Sequence, residues 1–491
     1  MPPSNAQPIL EYNYDISCPF AYIASTRVQT LAHRTHATLI YKPVLLGAIY
    51  RTVAAPQGAD GSASDVFNAA KKAVAAQSMQ RTLRRYNIRY NPPPQHPRKT
   101  VNALRLLYCV KDQEKRRILT ERLFQAYWVE GKDVNSNATI LQIARECGIE
   151  NVGEESFNDI DARNELETAT TEAIQRGAFG VPGFWIPDAV WTNRNGEEKR
   201  GRFFWGQDRM HFVEATLLSL SSSSSASPSG HPWRHVPALK SLMPRCVPSN
   251  KPHGRVKLEF WFDFSSPWAF LGYTQLERLK TTFGKDLEIV MKPFLLGILF
   301  RQIGAPEMAE MGMSPAKALW TRQDHADWTQ YWNAISAQDG RRGFKFQWAE
   351  IFPIRTPTLL RVALVEPQTT NLLFEACWSR NQNVSNDTVL GTVLDQGGFN
   401  GADLVARANE PAAKAKLRAA TAEAKELGLC GVPTYRVLRQ GNSGDWEAVG
   451  GLVWGQDEIN VVEDLIAGWN PESSGQVAKV ARKENGADSK L

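Results

Sequence analysis

Two short stretches set a sulfur-bearing or hydroxyl side chain before a proline in the same way: Asp15-Ile16-Ser17-Cys18-Pro19-Phe20-Ala21-Tyr22 and Asp263-Phe264-Ser265-Ser266-Pro267-Trp268-Ala269-Phe270. Each follows an apolar run and leads into residues with helical spacing, so Cys18 and Ser266 stand where a helix begins. Proline loses nothing in a first helical turn, and the residue ahead of it faces unpaired N–H groups and the positive end of the helix dipole. Such a position stabilises a thiolate. Cys18 could itself be that thiolate, its pKa lowered as thiols at helix N-termini are. Ser266 could only donate a hydrogen bond to a sulfur carried by another molecule. Capping is the ordinary role of serine and aspartate here, but the same slot filled twice, beside Asp15 and Asp263, favours chemistry. Gly180-Val181-Pro182 and Gly431-Val432-Pro433 complete the set. Each precedes a strand, where proline is tolerated mainly at edges. A cis bond at Pro182 and Pro433 would turn the backbone N–H and C=O of Val181 and Val432 outward, to pair with an extended, peptide-like ligand.

These residues belong to one unit written twice. Asp15 and Asp263 are 248 residues apart; Lys42-Pro43-Val44-Leu45-Leu46-Gly47 returns as Lys292-Pro293-Phe294-Leu295-Leu296-Gly297, and Trp205-Gly206-Gln207-Asp208 as Trp454-Gly455-Gln456-Asp457. A repeat this long is a domain with its own core and not a solenoid unit. In each half the pattern predicts a strand (Ile9 to Tyr14; Val256 to Phe264), a tight turn, a helix, and a parallel strand (Thr38 to Pro43; Leu287 to Pro293). A helical stretch follows, with Val101 to Val110, Glu114 to Glu130 and Ala138 to Cys147 in the first half. Each half then closes on two extended segments and a helix from Asp208 or Asp457. This order is that of an α/β thioredoxin-like domain with an inserted all-helical subdomain. The expected boundaries are 1–218 and 255–470, with a Ser/Pro-rich linker at 219–254 and a flexible tail at 471–491. Ser219 to Gly230 is low-complexity, while Trp233 to Val247 carries Val236, Leu239, Leu242 and Met243 and should lie against a domain surface.

Composition bounds the rest. With 491 residues, 43% hydrophobic and 22% charged, the chain is globular. Its 57 basic and 51 acidic residues leave a thin excess of +6, unlike the concentrated basic face of a nucleic-acid binder. Six cysteines without a C-x-x-C pair argue against a disulfide framework or a structural zinc site and fit a reducing compartment. No apolar signal core or membrane-length apolar run is present, so a soluble, non-secreted protein is expected. Ser489-Lys490-Leu491 is a peroxisomal address, readable by an import receptor on a free tail, with the cytoplasm as the alternative.

The markers D-x-S-[SC]-P-x-A-[YF], K-P-x-L-L-G, G-V-P and W-G-Q-D occur together, and twice. Both halves resemble the 2-hydroxychromene-2-carboxylate isomerase and kappa-class glutathione transferase family, a DsbA-like branch of the thioredoxin fold. The resemblance implies glutathione as cofactor and Ser266 as the residue that hydrogen-bonds its sulfur; Cys18 departs from the serine pattern. It implies that Val181-Pro182 and Val432-Pro433 hold the cysteinyl backbone, and that Asp208 and Asp457 meet the γ-glutamyl ammonium. It further implies that Asn102 contributes in the first half, where the second has Thr358, and that Phe20 and Trp268 flank the cofactor. The implied activity is isomerase or transferase chemistry on a hydrophobic, conjugated electrophile, with the halves paired as an internal pseudo-dimer and Trp320, Trp328, Trp332 and Trp348 available to wall the substrate pocket. The alternatives are a thiol oxidoreductase centred on Cys18, which lacks a resolving cysteine because Ala21 stands at the partner position, and a non-catalytic glutathione-binding or scaffolding protein.

Overall fold

A computed structural model describes residues 7–193, 196–221 and 232–472. The first half runs β1 (Ile9–Tyr14), α1 (Pro19–Arg34), β2 (Thr38–Pro43), α2 (Leu46–Thr52), α3 (Ala69–Arg85), α4 (Val101–Cys109), α5 (Gln113–Trp128), α6 (Asn137–Glu146), α7 (Ile160–Gln175), β3 (Gly183–Thr192), β4 (Glu198–Trp205) and α8 (Met210–Ser221). The second repeats it as β5 (Val256–Phe262), α9 (Pro267–Thr274), α10 (Leu276–Phe283), β6 (Leu287–Pro293), α11 (Leu296–Ile303), α12 (Pro315–Gln338), α13 (Pro357–Val365), α14 (Thr370–Trp378), α15 (Asp387–Gln396), α16 (Gly401–Ala408), α17 (Pro411–Glu426), β7 (Thr434–Gln440), β8 (Trp446–Trp454) and α18 (Ile459–Ile466). The single first helix expected in the second half is divided into α9 and α10 at Gln275.

Each half forms a four-stranded sheet, in the order β2-β1-β3-β4 and β6-β5-β7-β8. The expected parallel pair is present, with Ile9 opposite Thr38 and Val256 opposite Leu287. The antiparallel pairs put Asn13 opposite Gly183 and Gly183 opposite Trp205, and likewise Trp261 opposite Thr434 and Thr434 opposite Trp454. Every strand end that borders the motifs thus lies at one end of its sheet. Alternation fills the core: Leu10, Tyr12 and Tyr14 on β1, and Leu258, Phe260 and Phe262 on β5, are wholly buried. The Tyr12 hydroxyl donates to the Ala21 carbonyl of α1 at 2.5 Å, and Tyr14 packs on Phe124 of α5. Side-chain caps start the insert helices, among them Asn68 accepting from the Lys71 N–H at 2.9 Å and Ser314 from the Lys317 N–H at 3.4 Å.

The segment from Trp233 packs as its apolar residues suggest: Val236, Leu239 and Met243 are buried, as is Trp233, while Leu242 is half-buried. The ring of Trp233 stacks on Phe212 of α8, and the Leu239 carbonyl accepts from Tyr331 of α12 at 2.6 Å. Further on, the Cys246 and Val247 N–H groups donate to Asp464. Most of the low-complexity stretch (222–231) and the Ser489-Lys490-Leu491 end lie outside the described residues. Among the described residues no helix is long and apolar enough to cross a membrane.

Candidate active site at the helix tips

At each tip the aspartate clamps the turn and does not cap the helix. Asp15 Oδ1 accepts from the Ser17 N–H and hydroxyl at 3.0 and 2.9 Å and from the Thr100 hydroxyl at 2.6 Å, while Oδ2 accepts from the Leu46 N–H at 3.0 Å. One carboxylate therefore ties together the turn and the starts of α2 and α4. Asp263 repeats this with the Ser265 and Leu296 N–H groups at 3.0 and 2.9 Å and with the Thr356 hydroxyl. Its burial pushes its carboxyl up from the usual range, against those hydrogen bonds. From the other side, Trp128 Nε1 donates to the Ile16 carbonyl and Trp378 Nε1 to the Phe264 carbonyl, both at 2.8 Å. Thr100, Thr356, Trp128 and Trp378 were not singled out from sequence, although the threonines recur at matching places before α4 and α13.

Cys18 and Ser266 occupy the slots with nearly the same backbone, φ −94° and ψ 119° against φ −99° and ψ 118°. They differ in what they do there. Ser266 Oγ accepts from the Ala269 N–H at 3.2 Å, so it caps α9 while its own proton has no acceptor among the described residues. The Cys18 thiol makes no cap; its Sγ donates to the Val181 carbonyl at 3.3 Å. The expectation of a lowered Cys18 pKa is corrected: burial pushes it up to about 12, the Phe20 and Ala21 N–H groups pull it down less, and the Asp15 charge adds to the rise. At neutral pH Cys18 is a thiol.

Pro182 and Pro433 are both in cis peptide bonds, and Val181 and Val432 lie almost buried beside them. The W-G-Q-D motif is bound to this loop. A Cβ at Gly180 would stand 2.9 Å from Trp205 Nε1, and one at Gly431 2.7 Å from Trp454 Nε1, so the indole packs where only glycine leaves room. The next glycine, at φ 101° in Gly206 and 100° in Gly455, donates its N–H to the carbonyl of Pro182 or Pro433 at 3.0 and 2.9 Å. Asp208 and Asp457 follow, at the head of the last helix, with side chains 47% and 24% exposed.

The two halves converge at these aspartates. Arg209 Nη1 lies 2.9 Å from Asp208 Oδ2 and 2.9 Å from Asp457 Oδ2, and its other nitrogens pair with Asp324 of α12 at 2.7 and 2.9 Å. Three carboxylates meet one guanidinium. Lys317 of the second half stands over Trp205 of the first, and Lys71 of the first over Trp454 of the second, each 5.5 Å from the ring. Burial, with the nearby Lys71 charge, brings Lys317 down to about 8. Neither ammonium has a carboxylate partner among the described residues. Arg209, Asp324, Lys71 and Lys317 were missed from sequence because their roles arise only when the halves dock.

Phe20 is 45% exposed, and Trp268 packs edge-on against His325, 4.9 Å between centroids. Asn102 donates to Asn137 Oδ1 at 2.8 Å, and Thr358 accepts from Arg361 at 3.2 Å. The tryptophan expectation needs correction. Trp328 and Trp332 are fully buried, Trp328 between the halves against His211 and Phe212, and Trp332 within the second half, donating to Gln456 Oε1 at 2.5 Å. Trp320 covers Phe179 and Trp205 of the first half. Trp348, 41% exposed beside Phe346 and Trp378, is the one of the four that stands open on the second half.

The fold and these paired tips define a thioredoxin-like protein with helical inserts, built twice in one chain. The DSBA-like thioredoxin domain model matches residues 9–218 and 257–467, and the chain belongs to that family. It is similar to 2-hydroxychromene-2-carboxylate isomerase of Sphingobium xenophagum, 24% identical over 210 residues that are 43% of this chain and 97% of the relative. It is also similar to glutathione S-transferase kappa 1 of Caenorhabditis elegans, 22% identical over 221 residues, 43% of this chain and 91% of the relative. A solved 2-hydroxychromene-2-carboxylate isomerase aligns at 19% identity with a TM-score of 0.34, covering 42% of this chain and 93% of that one.

Proposed function

We propose that the chain is a glutathione-dependent isomerase or transferase acting on a hydrophobic, conjugated small molecule, with Ser266 as the group that holds the glutathione thiolate. The observation that carries this reading is the Ser266 hydroxyl, fixed by the Ala269 N–H at a helix tip with its proton left over for a sulfur. Charge around the tips supports it. Glutathione carries an α-ammonium and two carboxylates; Asp208, Asp324 and Asp457 outnumber Arg209, and Lys71 and Lys317 stand by with no acid of their own. The thiolate would add to an enone, allow rotation about the former double bond and be expelled, regenerating glutathione. With a leaving group on the electrophile, the same attack would end at the thioether. Trp348, Phe346 and Trp268 offer apolar surface near the second tip for such a substrate. The Cys18 oxidoreductase reading loses ground with a thiol held near 12.

Calorimetry with glutathione, followed by turnover of an enone and a haloarene, tests the reading. Binding in the micromolar to millimolar range and a product lost in Ser266→Ala are expected; absence of both binding and product would refute it. We also propose peroxisomal import through Ser489-Lys490-Leu491. An amino-terminal fluorescent fusion should collect in peroxisomes and lose that pattern on deletion of Leu491; an unchanged distribution would refute import through this signal.

A further inference from the structure

The insert helices α3 and α12 each cross to the other half in the same register. Their caps, Asn68 and Ser314, each accept from a lysine N–H three residues on, Lys71 and Lys317, and each lysine covers the W-G-Q-D tryptophan of the opposite half. In this register Ser78 matches Asp324 and Arg81 matches Asp327. On the receiving surfaces Arg209 matches Glu458, and Arg202 matches Gly451. The charges are inverted between the two crossings. In one, Asp324 pairs with Arg209 at 2.7 Å and Asp327 with Arg202. In the other, Ser78 and Arg81 both meet Glu458, Arg81 at 3.1 Å, and Arg81 also donates to the Gly450 carbonyl at 2.9 Å. Arg85 adds a pair with Asp464 at 2.7 Å, where the first half has Ala215.

Pairing like with like would fail on both counts. Two first halves would bring Arg81 to Arg209 and Arg202, and Arg85 to Ala215, with no acid at these positions. Two second halves would bring Asp324 and Asp327 to Glu458 and Gly451, with no cation there. Side chains of Arg81, Arg85, Arg202, Asp324 and Asp327 are all 8% exposed or less, so these charges would be buried without the opposite charges they meet here, and Arg209 would keep only Asp208 of its own half. We propose that each half carries a docking surface that accepts the other half and rejects a second copy of itself. The partner that fits the first half is a second half, from the same chain or another. Because Lys71 reaches Trp454 and Lys317 reaches Trp205, each crossing also covers the tryptophan beside the opposite tip. This proposal does not depend on the ligand.

The test uses the full chain with a protease site placed within residues 222–231 and cut after folding. Native mass spectrometry should then show a one-to-one complex, and mixing isotope-labelled and unlabelled cut protein should exchange first halves only onto second halves. First–first or second–second pairs in comparable amount, or release of single halves, would overturn the proposal. In the cut protein, Arg81→Glu and Glu458→Arg should each weaken association by about tenfold or more, and the double variant should recover most of that loss. A double variant no tighter than the singles would also overturn it.

Discussion

Ser266→Ala removes two things at once, and the structure lets them be separated. The cap to the Ala269 N–H at 3.2 Å contributes about 1 kcal/mol. In a domain of this size that lowers the melting temperature by about 2–4 °C. The second loss falls on the ligand. A hydrogen bond to a charged sulfur contributes about 1.5–3 kcal/mol, and at 1.36 kcal/mol per pKa unit the bound thiol should titrate about one to two units higher. At neutral pH, where the variant's thiol is mainly protonated, the thiolate population and kcat/KM should fall by about 10- to 100-fold. The assay is the ultraviolet absorbance of the bound thiolate against pH, read beside kcat/KM for an enone substrate. If the bound thiol titrates at the same pH in both proteins and kcat/KM stays within about twofold, Ser266 does not hold the sulfur and the reasoning fails.

Other consequences follow from the same geometry. Cys18, pushed up to about 12 by burial, should resist iodoacetamide in the folded protein at neutral pH; its contribution to stability is complete below the unfolded pKa near 9 and is lost as pH rises toward 12, which denaturation of wild type and Cys18→Ala from pH 8 to 11 would read. Lys317, brought down to about 8 by burial, loses its charge as pH rises through that value. Binding of S-methylglutathione, which has no thiol to titrate, should therefore weaken between pH 7 and 9.5 by more in wild type than in Lys317→Met, since the ligand's own ammonium titrates in both. Asp457→Asn should weaken glutathione about 10- to 100-fold while leaving cysteinylglycine, which lacks the γ-glutamyl group, unchanged by calorimetry. Trp378→Phe leaves the Phe264 carbonyl without its 2.8 Å donor and should cost about 1–3 kcal/mol in chemical denaturation.

What the sequence made legible was local or repeated. The strand, turn and helix around Cys18 and Ser266 are written in apolar spacing and a first-turn proline, and the recurrence of G-V-P and W-G-Q-D marked them as parts of one repeated unit; the packing of Trp205 on Gly180 and of Trp454 on Gly431 joins them in space. Burial of Trp233, Val236 and Leu239 was readable from their apolar character within a polar linker. The missed features depend on distance in the chain. Nothing near Asp324 announces that it will meet Arg209, 115 residues back, and Trp328 looks like any aromatic in a long helix until α8 arrives against it. The Cys18 pKa was misjudged because a helix tip was weighed without the burial that surrounds it, and burial is the larger effect.

The most direct measurement is a crystal structure of the chain with glutathione. The sulfur should lie within hydrogen-bonding distance of Ser266 Oγ, with the cysteinyl backbone along Val432 and the ammonium at Asp457. A sulfur bound elsewhere, or a second tip left empty at saturating glutathione, would contradict the account.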